Sequence, residues 1–235
     1  MAIWLNVFSA RYSDCFKLAK DIIIAASMLS ADFSEIGAAL VQIENSGVQW
    51  VHLDIMDGAF VPAITFGDKM VADIRKKTKL VLDAHLMIEN PQNQIDAFAA
   101  AGADYFTFHI EAAIHSHRII QLIHQKNMKA GVSIVPSTTA ASLENVLPFA
   151  DLVLVMTVNP GAGEQTLITE CIEKIKTLSR IKKEKNYNYL ISVDGGINGQ
   201  TASAAIAAGA DVLVTGSAFF KAQDKKMFVN DINKI

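Results

Sequence analysis

The chain carries a short stretch in which apolar and polar residues alternate as on a buried strand: Val51-His52-Leu53-Asp54-Ile55-Met56-Asp57-Gly58. Successive side chains of a strand point to opposite faces, so His52, Asp54 and Met56 share one side. Burying an unpaired imidazole or carboxylate is costly, so something must compensate them. Two explanations stay open from this stretch alone: a divalent metal ion, or a hydrogen-bonded His/Asp pair at a strand end.

The same stretch is one of eight short runs rich in β-branched and aromatic residues, with mostly helical patterns between them. The runs are Ile22-Ile23-Ile24-Ala25, Trp50-Val51-His52-Leu53, Leu80-Val81-Leu82-Asp83, Tyr105-Phe106-Thr107-Phe108, Ala130-Gly131-Val132-Ser133-Ile134, Leu152-Val153-Leu154-Val155, Tyr189-Leu190-Ile191-Ser192-Val193 and Val212-Leu213-Val214. Strands that alternate with helices indicate a parallel sheet. Eight such units predict an α/β fold, a single closed (β/α)8 TIM barrel. An open doubly wound sheet is the competitor, but no Gly-x-Gly-x-x-Gly follows the first run.

The length of the chain allows one large domain or two small ones, and its composition does not require a division. The chain has 235 residues, of which 51% are hydrophobic and 19% charged, with a formal net charge of −3. We predict a catalytic barrel over residues 21–235 and an N-terminal extension over residues 1–20. Without a basic footprint or a long apolar run we expect no nucleic-acid partner and no membrane association. Cys15 and Cys171 form no CxxC motif, which fits a reducing compartment and a cytoplasmic location.

Polar residues accumulate where the predicted strands end, which in a TIM barrel is the edge that carries the active site. His52 and Asp54 end the second run, His85 follows the third, and Asp194 follows the seventh. Two imidazoles and two carboxylates suit a zinc, iron, manganese or cobalt ion, with one coordination position left open for substrate. These four residues move the interpretation of the opening stretch towards the metal.

Two glycine-containing loops predict an anion site beside this set. Gly195 and Gly196 follow Asp194, and Gly216-Ser217 follows the eighth run and leads into a short helical segment at Ala218-Phe219-Phe220. Glycines let backbone N–H groups approach an anion closely. The phosphate site of many TIM barrels uses the same two loops, so a phosphorylated ligand is expected.

From Ile22 to Phe220 the chain resembles the ribulose-phosphate 3-epimerase family. The matching motifs are Ser27-Met28-Leu29-Ser30-Ala31-Asp32-Phe33, His52-Leu53-Asp54-Ile55-Met56-Asp57-Gly58, Phe60-Val61-Pro62, Asp83-Ala84-His85-Leu86-Met87, Met156-Thr157-Val158-Asn159-Pro160-Gly161, Asp194-Gly195-Gly196-Ile197-Asn198 and Gly216-Ser217-Ala218. The resemblance implies a barrel of the ribulose-phosphate-binding type. It also implies an isomerase of the pentose phosphate pathway that converts D-ribulose 5-phosphate to D-xylulose 5-phosphate by epimerisation at C3.

The resemblance assigns roles to particular residues. The metal ligands would be His52, Asp54, His85 and Asp194, with Asp54 and Asp194 also the two proton-transfer groups. The cofactor would be one divalent ion, Zn²⁺ in the first place and Fe²⁺, Mn²⁺ or Co²⁺ otherwise. We also expect a homo-oligomer. The sugar phosphate would be bound by Ser27, Met56, His85, Gly161, Ala162, Gly163, Glu164, Gly195, Gly196, Gly216 and Ser217.

The loop after the sixth run departs from the family pattern. Where members usually have Asn-Pro-Gly-Phe-Gly-Gly-Gln, this chain has Asn159-Pro160-Gly161-Ala162-Gly163-Glu164-Gln165. Ala162 should exclude water less well than an aromatic residue, and the Glu164 carboxylate should repel a phosphate unless it points away. Two rival functions follow: epimerisation of a ketohexose phosphate such as allulose 6-phosphate, or a barrel that binds a sugar phosphate with little turnover.

Three methionines, Met56, Met87 and Met156, fall near strand ends. Methionine commonly fills irregular gaps in a core. Alternatively, these three side chains would form an apolar wall of the active site that keeps water from the reacting carbon. His109 and Glu111 are interpreted as supporting residues around the site, and His115, His117 and His124 as surface residues of a helical stretch.

Overall fold

The computed structural model describes residues 22–235, so the extension predicted for residues 1–20 lies outside the described residues. Eight parallel strands form a closed barrel in chain order, and the last strand pairs with the first. The predicted (β/α)8 barrel is confirmed. The strands are β1 (Ile23–Ser27), β2 (Trp50–Met56), β3 (Val81–Met87), β4 (Tyr105–His109), β5 (Lys129–Ile134), β6 (Leu152–Met156), β7 (Leu190–Asp194) and β8 (Val212–Thr215).

Helices surround the barrel on its outside. They are α1 (Ile36–Ser46), α2 (Asp68–Arg75), α3 (Ile95–Ala101), α4 (Ser116–Gln125), α5 (Ile172–Lys185), α6 (Thr201–Ala208), α7 (Ser217–Lys221) and α8 (Lys225–Asn233). Short 3-10 helices occupy Met28–Ser30, Phe33–Glu35, Pro91–Gln94, Ile110–Ala112 and Thr169–Cys171. Among the described residues, none of these helices has both the length and the apolar character needed to cross a membrane.

The connection between β5 and β6 departs from the alternation of strand and α-helix. Within residues 135–151, all of which are described, the chain forms two 3-10 helices, Ala140–Leu143 and Leu147–Phe149, and no α-helix. The run Ser137-Thr138-Thr139 consists of residues that favour turns and caps over helix interiors. Pro148 has no N–H to donate, which confines it to the start of a helix.

The apolar core has two layers. Outward-facing strand residues pack with the helices into one large cluster, and inward-facing residues such as Ala25, Trp50 and Leu154 fill the barrel. Near the amino ends of the strands the filling is apolar and aromatic, with the rings of Trp50 and Tyr105 4.6 Å apart. Towards the carboxyl ends the inward-facing side chains become polar, and these build the candidate site.

The stretch Ala-Gly-Ala-Asp occurs before two strands, at residues 101–104 before β4 and at residues 208–211 before β8, and has a structural role. Gly102 and Gly209 end α3 and α6 in the left-handed conformation, with φ of 84° and 113°. The aspartates that follow accept a hydrogen bond from the backbone of the preceding strand, Asp104 from Leu82 N–H and Asp211 from Ile191 N–H, each at 2.8 Å. They therefore tie neighbouring strands together at the barrel edge opposite the site.

Candidate metal and active site

Four side chains predicted as metal ligands converge at the carboxyl end of the barrel. His52 and Asp54 come from β2, His85 from β3, and Asp194 ends β7. One ligand atom from each lies within 4.8 Å of all the others. Both histidines are fully buried, and the side chain of Asp194 is 17% exposed. Adjacent strands bring these residues together because Asp54 and His85 are register partners.

The spacing of the ligand atoms fits a small divalent cation. Asp54 Oδ1 lies 3.4 Å from His52 Nε2 and 3.2 Å from His85 Nδ1, and these nitrogens are 3.3 Å apart. Asp194 Oδ2 is 3.8 Å and 3.9 Å from the same nitrogens. A tetrahedron of ligands about 2.1 Å from a central ion has edges of about 3.4 Å. The three distances among His52, Asp54 and His85 match this edge, and the four residues could hold such an ion if the Asp194 carboxyl moved towards it.

The two oxygens of Asp54 have different environments. Oδ1 faces the histidine nitrogens, whereas Oδ2 accepts a hydrogen bond of 2.6 Å from the Ser27 hydroxyl. A carboxylate has enough lone pairs for both sets of contacts. Asp54 can therefore ligate an ion through one oxygen and exchange a proton through the other.

Burial opposes the charge of every ionisable group in this cluster. For Asp54 burial is outweighed by the neighbouring imidazoles of His52 and His85, and its pKa falls below the usual range. Burial and repulsion from Asp54 raise the pKa of Asp194 to about 7. Burial lowers the pKa of His85 to about 4, whereas for His52 the carboxylates of Asp54 and Asp83 overcome burial and raise the pKa. The two carboxyls thus differ strongly in their tendency to hold a proton.

A buried carboxylate that the sequence analysis did not single out fixes the orientation of His52. Asp83 Oδ2 lies 2.8 Å from His52 Nδ1, and the Thr107 hydroxyl donates to Asp83 Oδ1 at 3.1 Å. All three side chains are fully buried. With Nδ1 bound to Asp83, Nε2 is directed at the ligand cluster. The signal was present in the alternation of Asp83, His85 and Met87 on one strand face.

His85 has a second contact chain that leads out of the barrel. Its Nε2 lies 2.9 Å from Nε2 of His109, whose Nδ1 is 3.3 Å from Oε2 of Glu111. Although burial opposes the charge of Glu111, hydrogen bonds, first that of His109, lower its pKa to about 2. The ring of Phe60 contacts that of His109 at a tilt of 40°, with centroids 4.7 Å apart. The supporting position expected for His109 and Glu111 matches these contacts, and His115, His117 and His124 are exposed as expected.

A cavity of about 290 Å³ opens over the ligand cluster. Asp54 and Asp194 both border it, so the two carboxyls of the ligand cluster face the same cavity. The predicted substrate-binding residues that line it are Ser27, Met56, Gly161, Ala162, Gly163, Glu164, Gly195, Gly196, Gly216 and Ser217. His85, also expected to bind substrate, does not line the cavity and is fully buried beside Asp54.

Met56, Met87 and Met156 also border this cavity while being at most 4% exposed. Met56 and Met87 pack with Val61 into a small apolar cluster. The methionines therefore fill core space and at the same time supply the apolar part of the cavity wall. Both interpretations of these residues agree with their positions.

The loop after β6, residues 159–165, is the one that departs from the family pattern, and it forms an ion pair at the cavity mouth. Glu164 Oε1 lies 2.6 Å from Lys221 Nζ at the end of α7, so its carboxylate is paired. Gln165 Nε2 donates to the carbonyl oxygens of Asn159 and Ala162 at 2.7 and 2.8 Å and fixes the loop. Lys221 was not predicted as a site residue. The available signal was its position one helical turn after Ser217, on the same face of α7.

Comparison with known proteins shows the family of this chain. The family model described as the ribulose-phosphate 3 epimerase family matches residues 23–220. The chain belongs to the ribulose-phosphate 3-epimerase family. Ribulose-phosphate 3-epimerase of Treponema pallidum (strain Nichols) is 51% identical over 208 residues, which cover 88% of this chain and 95% of the relative. The enzyme of the same name from Bacillus subtilis (strain 168) is 47% identical over 210 residues, covering 89% and 97%. As a member of this epimerase family, the protein is an isomerase.

Solved structures share the fold at low sequence identity. The crystal structure of KGPDC from Streptococcus mutans superposes with a TM-score of 0.69 at 16% identity, covering 91% of this chain and 98% of that one. The 3-hexulose-6-phosphate synthase of Salmonella typhimurium gives a TM-score of 0.66 at 19% identity, covering 91% and 97%. At such identity these likenesses support the barrel architecture alone.

Proposed function

We propose that this epimerase interconverts D-ribulose 5-phosphate and D-xylulose 5-phosphate with the help of one divalent metal ion. Zn²⁺ is our first choice of ion, before Fe²⁺, Mn²⁺ and Co²⁺. One observation carries the proposal: Asp54 and Asp194 face the same cavity while four ligand atoms, two of them theirs, lie within 4.8 Å of one another. The names of the relatives support the pentulose phosphate as substrate.

The cavity suits a small phosphorylated ligand. Its volume of about 290 Å³ lies at the lower end of the range for small-molecule sites. Gly195, Gly196, Gly216 and Ser217 border one part of it, where backbone N–H groups would bind the phosphate. The sugar end would then extend towards Asp54 and Asp194.

Epimerisation at C3 requires a proton to leave one face of the carbon and another to arrive at the opposite face. When the C3–H bond breaks, its electron pair is delocalised to the C2 carbonyl oxygen, giving an enediolate. A bound divalent ion supplies Lewis-acid stabilisation of that charge, worth several kcal/mol. One carboxyl of the Asp54/Asp194 pair accepts the proton and the other donates one, and their roles swap in the reverse direction.

Neighbouring side chains prepare the two carboxyls for this task. The Ser27 hydroxyl donates to Oδ2 of Asp54, while Oδ1 lies near the histidine nitrogens. The apolar wall of Met56, Met87 and Met156 keeps water away from the carbon that is deprotonated. Proton transfer can then compete with leakage to solvent.

The test is exchange of the C3 proton of ribulose 5-phosphate with solvent deuterium, which proton NMR in D2O monitors. We expect deuterium at C3 of both epimers, loss of exchange after chelation of the metal, and recovery on adding back Zn²⁺. Metal addition should also raise the melting temperature, since an ion that binds only the folded state stabilises it. Absence of exchange after metal reconstitution would contradict the proposal. Tight substrate binding without exchange would instead support the rival barrel that binds a sugar phosphate with little turnover.

A ketohexose phosphate is the second candidate substrate. Ala162 places only a methyl group on the cavity border, where a larger residue would shorten the space. A longer sugar such as allulose 6-phosphate would use that room. Comparison of kcat/KM for the two phosphates decides between them, because the preferred substrate is the one with the higher ratio.

Asp83 should be needed for metal affinity because it orients His52. We expect Asp83→Asn to weaken Zn²⁺ binding by about 10- to 100-fold, the usual effect of losing a partner that holds a metal-ligating histidine. Competition with a chromophoric chelator measures this, and Asp96→Asn, which removes an 80% exposed carboxylate, is the matched control. The melting temperature of each metal-free variant separates loss of affinity from loss of the fold. Unchanged affinity in folded Asp83→Asn would refute the orienting role.

A further inference from the structure

The charges around the cavity are unbalanced for a ligand that carries a phosphate. Among the described residues that line it, three are carboxylic acids, Asp54, Asp194 and Glu164, and the one basic side chain is Lys221. A phosphate ester near neutral pH carries close to two negative charges. Backbone N–H groups offer only partial charges, so among the side chains of this wall Lys221 alone supplies a full positive charge, away from the two carboxylates that would bind the metal.

In the free protein Lys221 is already paired. Its Nζ lies 2.6 Å from Oε1 of Glu164, and the two side chains are 68% and 65% exposed. An ion pair with such exposure is held weakly, because water screens both charges. A phosphate with a larger charge and three acceptor oxygens can therefore take the place of the Glu164 carboxylate.

The loop holds Glu164 in this competing position. Its backbone has a φ of 60°, in the left-handed region that residues other than glycine rarely adopt. The two hydrogen bonds from the Gln165 side chain reach the carbonyls of Asn159 and Ala162 and so close the loop around Gly163 and Glu164. The carboxylate is thus presented to Lys221 by a preformed turn.

We propose that Lys221 recognises the substrate phosphate and that Glu164 is a built-in competitor for Lys221, which limits how tightly the phosphate is held. This inference rests on the proposed function only in taking the substrate to be a phosphate ester. Substrate binding exchanges the Lys221–Glu164 pair for a Lys221–phosphate pair, and product release restores the first. Glu164 therefore weakens phosphate binding and speeds release of the product.

The test is calorimetric titration of the metal-loaded enzyme with inorganic phosphate, which needs no turnover. Lys221→Met should weaken phosphate binding about tenfold, the effect of losing one charge-assisted contact. Lys226→Met, which removes an exposed lysine of α8 that does not line the cavity, should leave binding within about twofold of the wild type. Glu164→Gln should tighten binding severalfold, and this gain should shrink in the Lys221→Met background. KM for the sugar phosphate should change in the same directions.

Equal phosphate binding by Lys221→Met and Lys226→Met would overturn the recognition role of Lys221. A gain from Glu164→Gln that is the same with and without Lys221 would overturn the competition, because simple repulsion of the phosphate by Glu164 does not need the lysine. Loss of C3 exchange with intact phosphate binding would contradict the proposed function and leave this inference standing. The two proposals therefore fail on different measurements.

Discussion

Asp54→Asn is expected to abolish exchange of the C3 proton and to lower kcat by about 10⁴-fold, the upper range for loss of a general acid–base group. Asparagine has nearly the same shape and keeps an oxygen, but it does not accept a proton as a carboxylate does. The substitution also removes one negative charge from the four ligands. Proton NMR in D2O reports the exchange, and elemental analysis reports the bound metal.

The matched control for Asp54→Asn is Asp68→Asn, at an exposed position in the first turn of α2. It removes the same charge away from the cavity and should leave exchange unchanged. A folded Asp54→Asn variant that still exchanges C3 at the wild-type rate would show that another group moves the proton. If the variant keeps its metal and loses exchange, the proton-carrying role of Asp54 is separated from its role as a ligand.

The sequence predicts which strand face is polar but not which residues meet across strands. The alternation in β2 places His52 and Asp54 inside the barrel, and eight apolar runs predict its closure. The pairing of His52 with Asp83 depends on the register of β2 and β3, in which these two residues are direct partners. That register is set by packing of the whole barrel, which local periodicity does not specify.

The charge of Glu164 shows a second limit of sequence patterns. The loop motif predicts a carboxylate near the phosphate site, and repulsion is the natural expectation. The partner of Glu164 is Lys221 of α7. Strands β7 and β8 separate the two residues along the chain, so only the closed barrel brings them together. The missing α-helix between β5 and β6 is a third difference from the predicted alternation of strands and helices. This connection contains Ser137-Thr138-Thr139 and Pro148, which disfavour a helix interior.

Gly131→Ala should be strongly destabilising because the strand interior has no room for a side chain at this position. Gly131 in β5 is the register partner of Thr107 in β4. A Cβ atom on Gly131 would lie 2.8 Å from Cβ of the fully buried Thr107 and still closer to its hydroxyl. Overpacking and loss of the hydrogen bond from Thr107 to Asp83 together should cost about 3 kcal/mol. For a chain of this size the melting temperature should fall by roughly 10 °C.

Gly37→Ala is the matched control, since the same methyl group is added where nothing lies within 4 Å. Gly37 is in the first turn of α1, and alanine there should stabilise the helix by up to about 1 kcal/mol. Thermal unfolding of both variants measures the difference, and equal melting temperatures would refute the packing argument. Because Thr107 leads through Asp83 to His52, folded Gly131→Ala should also bind Zn²⁺ more weakly, whereas Gly37→Ala should not. Such a result would show that the space at Gly131 in β5 helps to fix the orientation of His52 in β2.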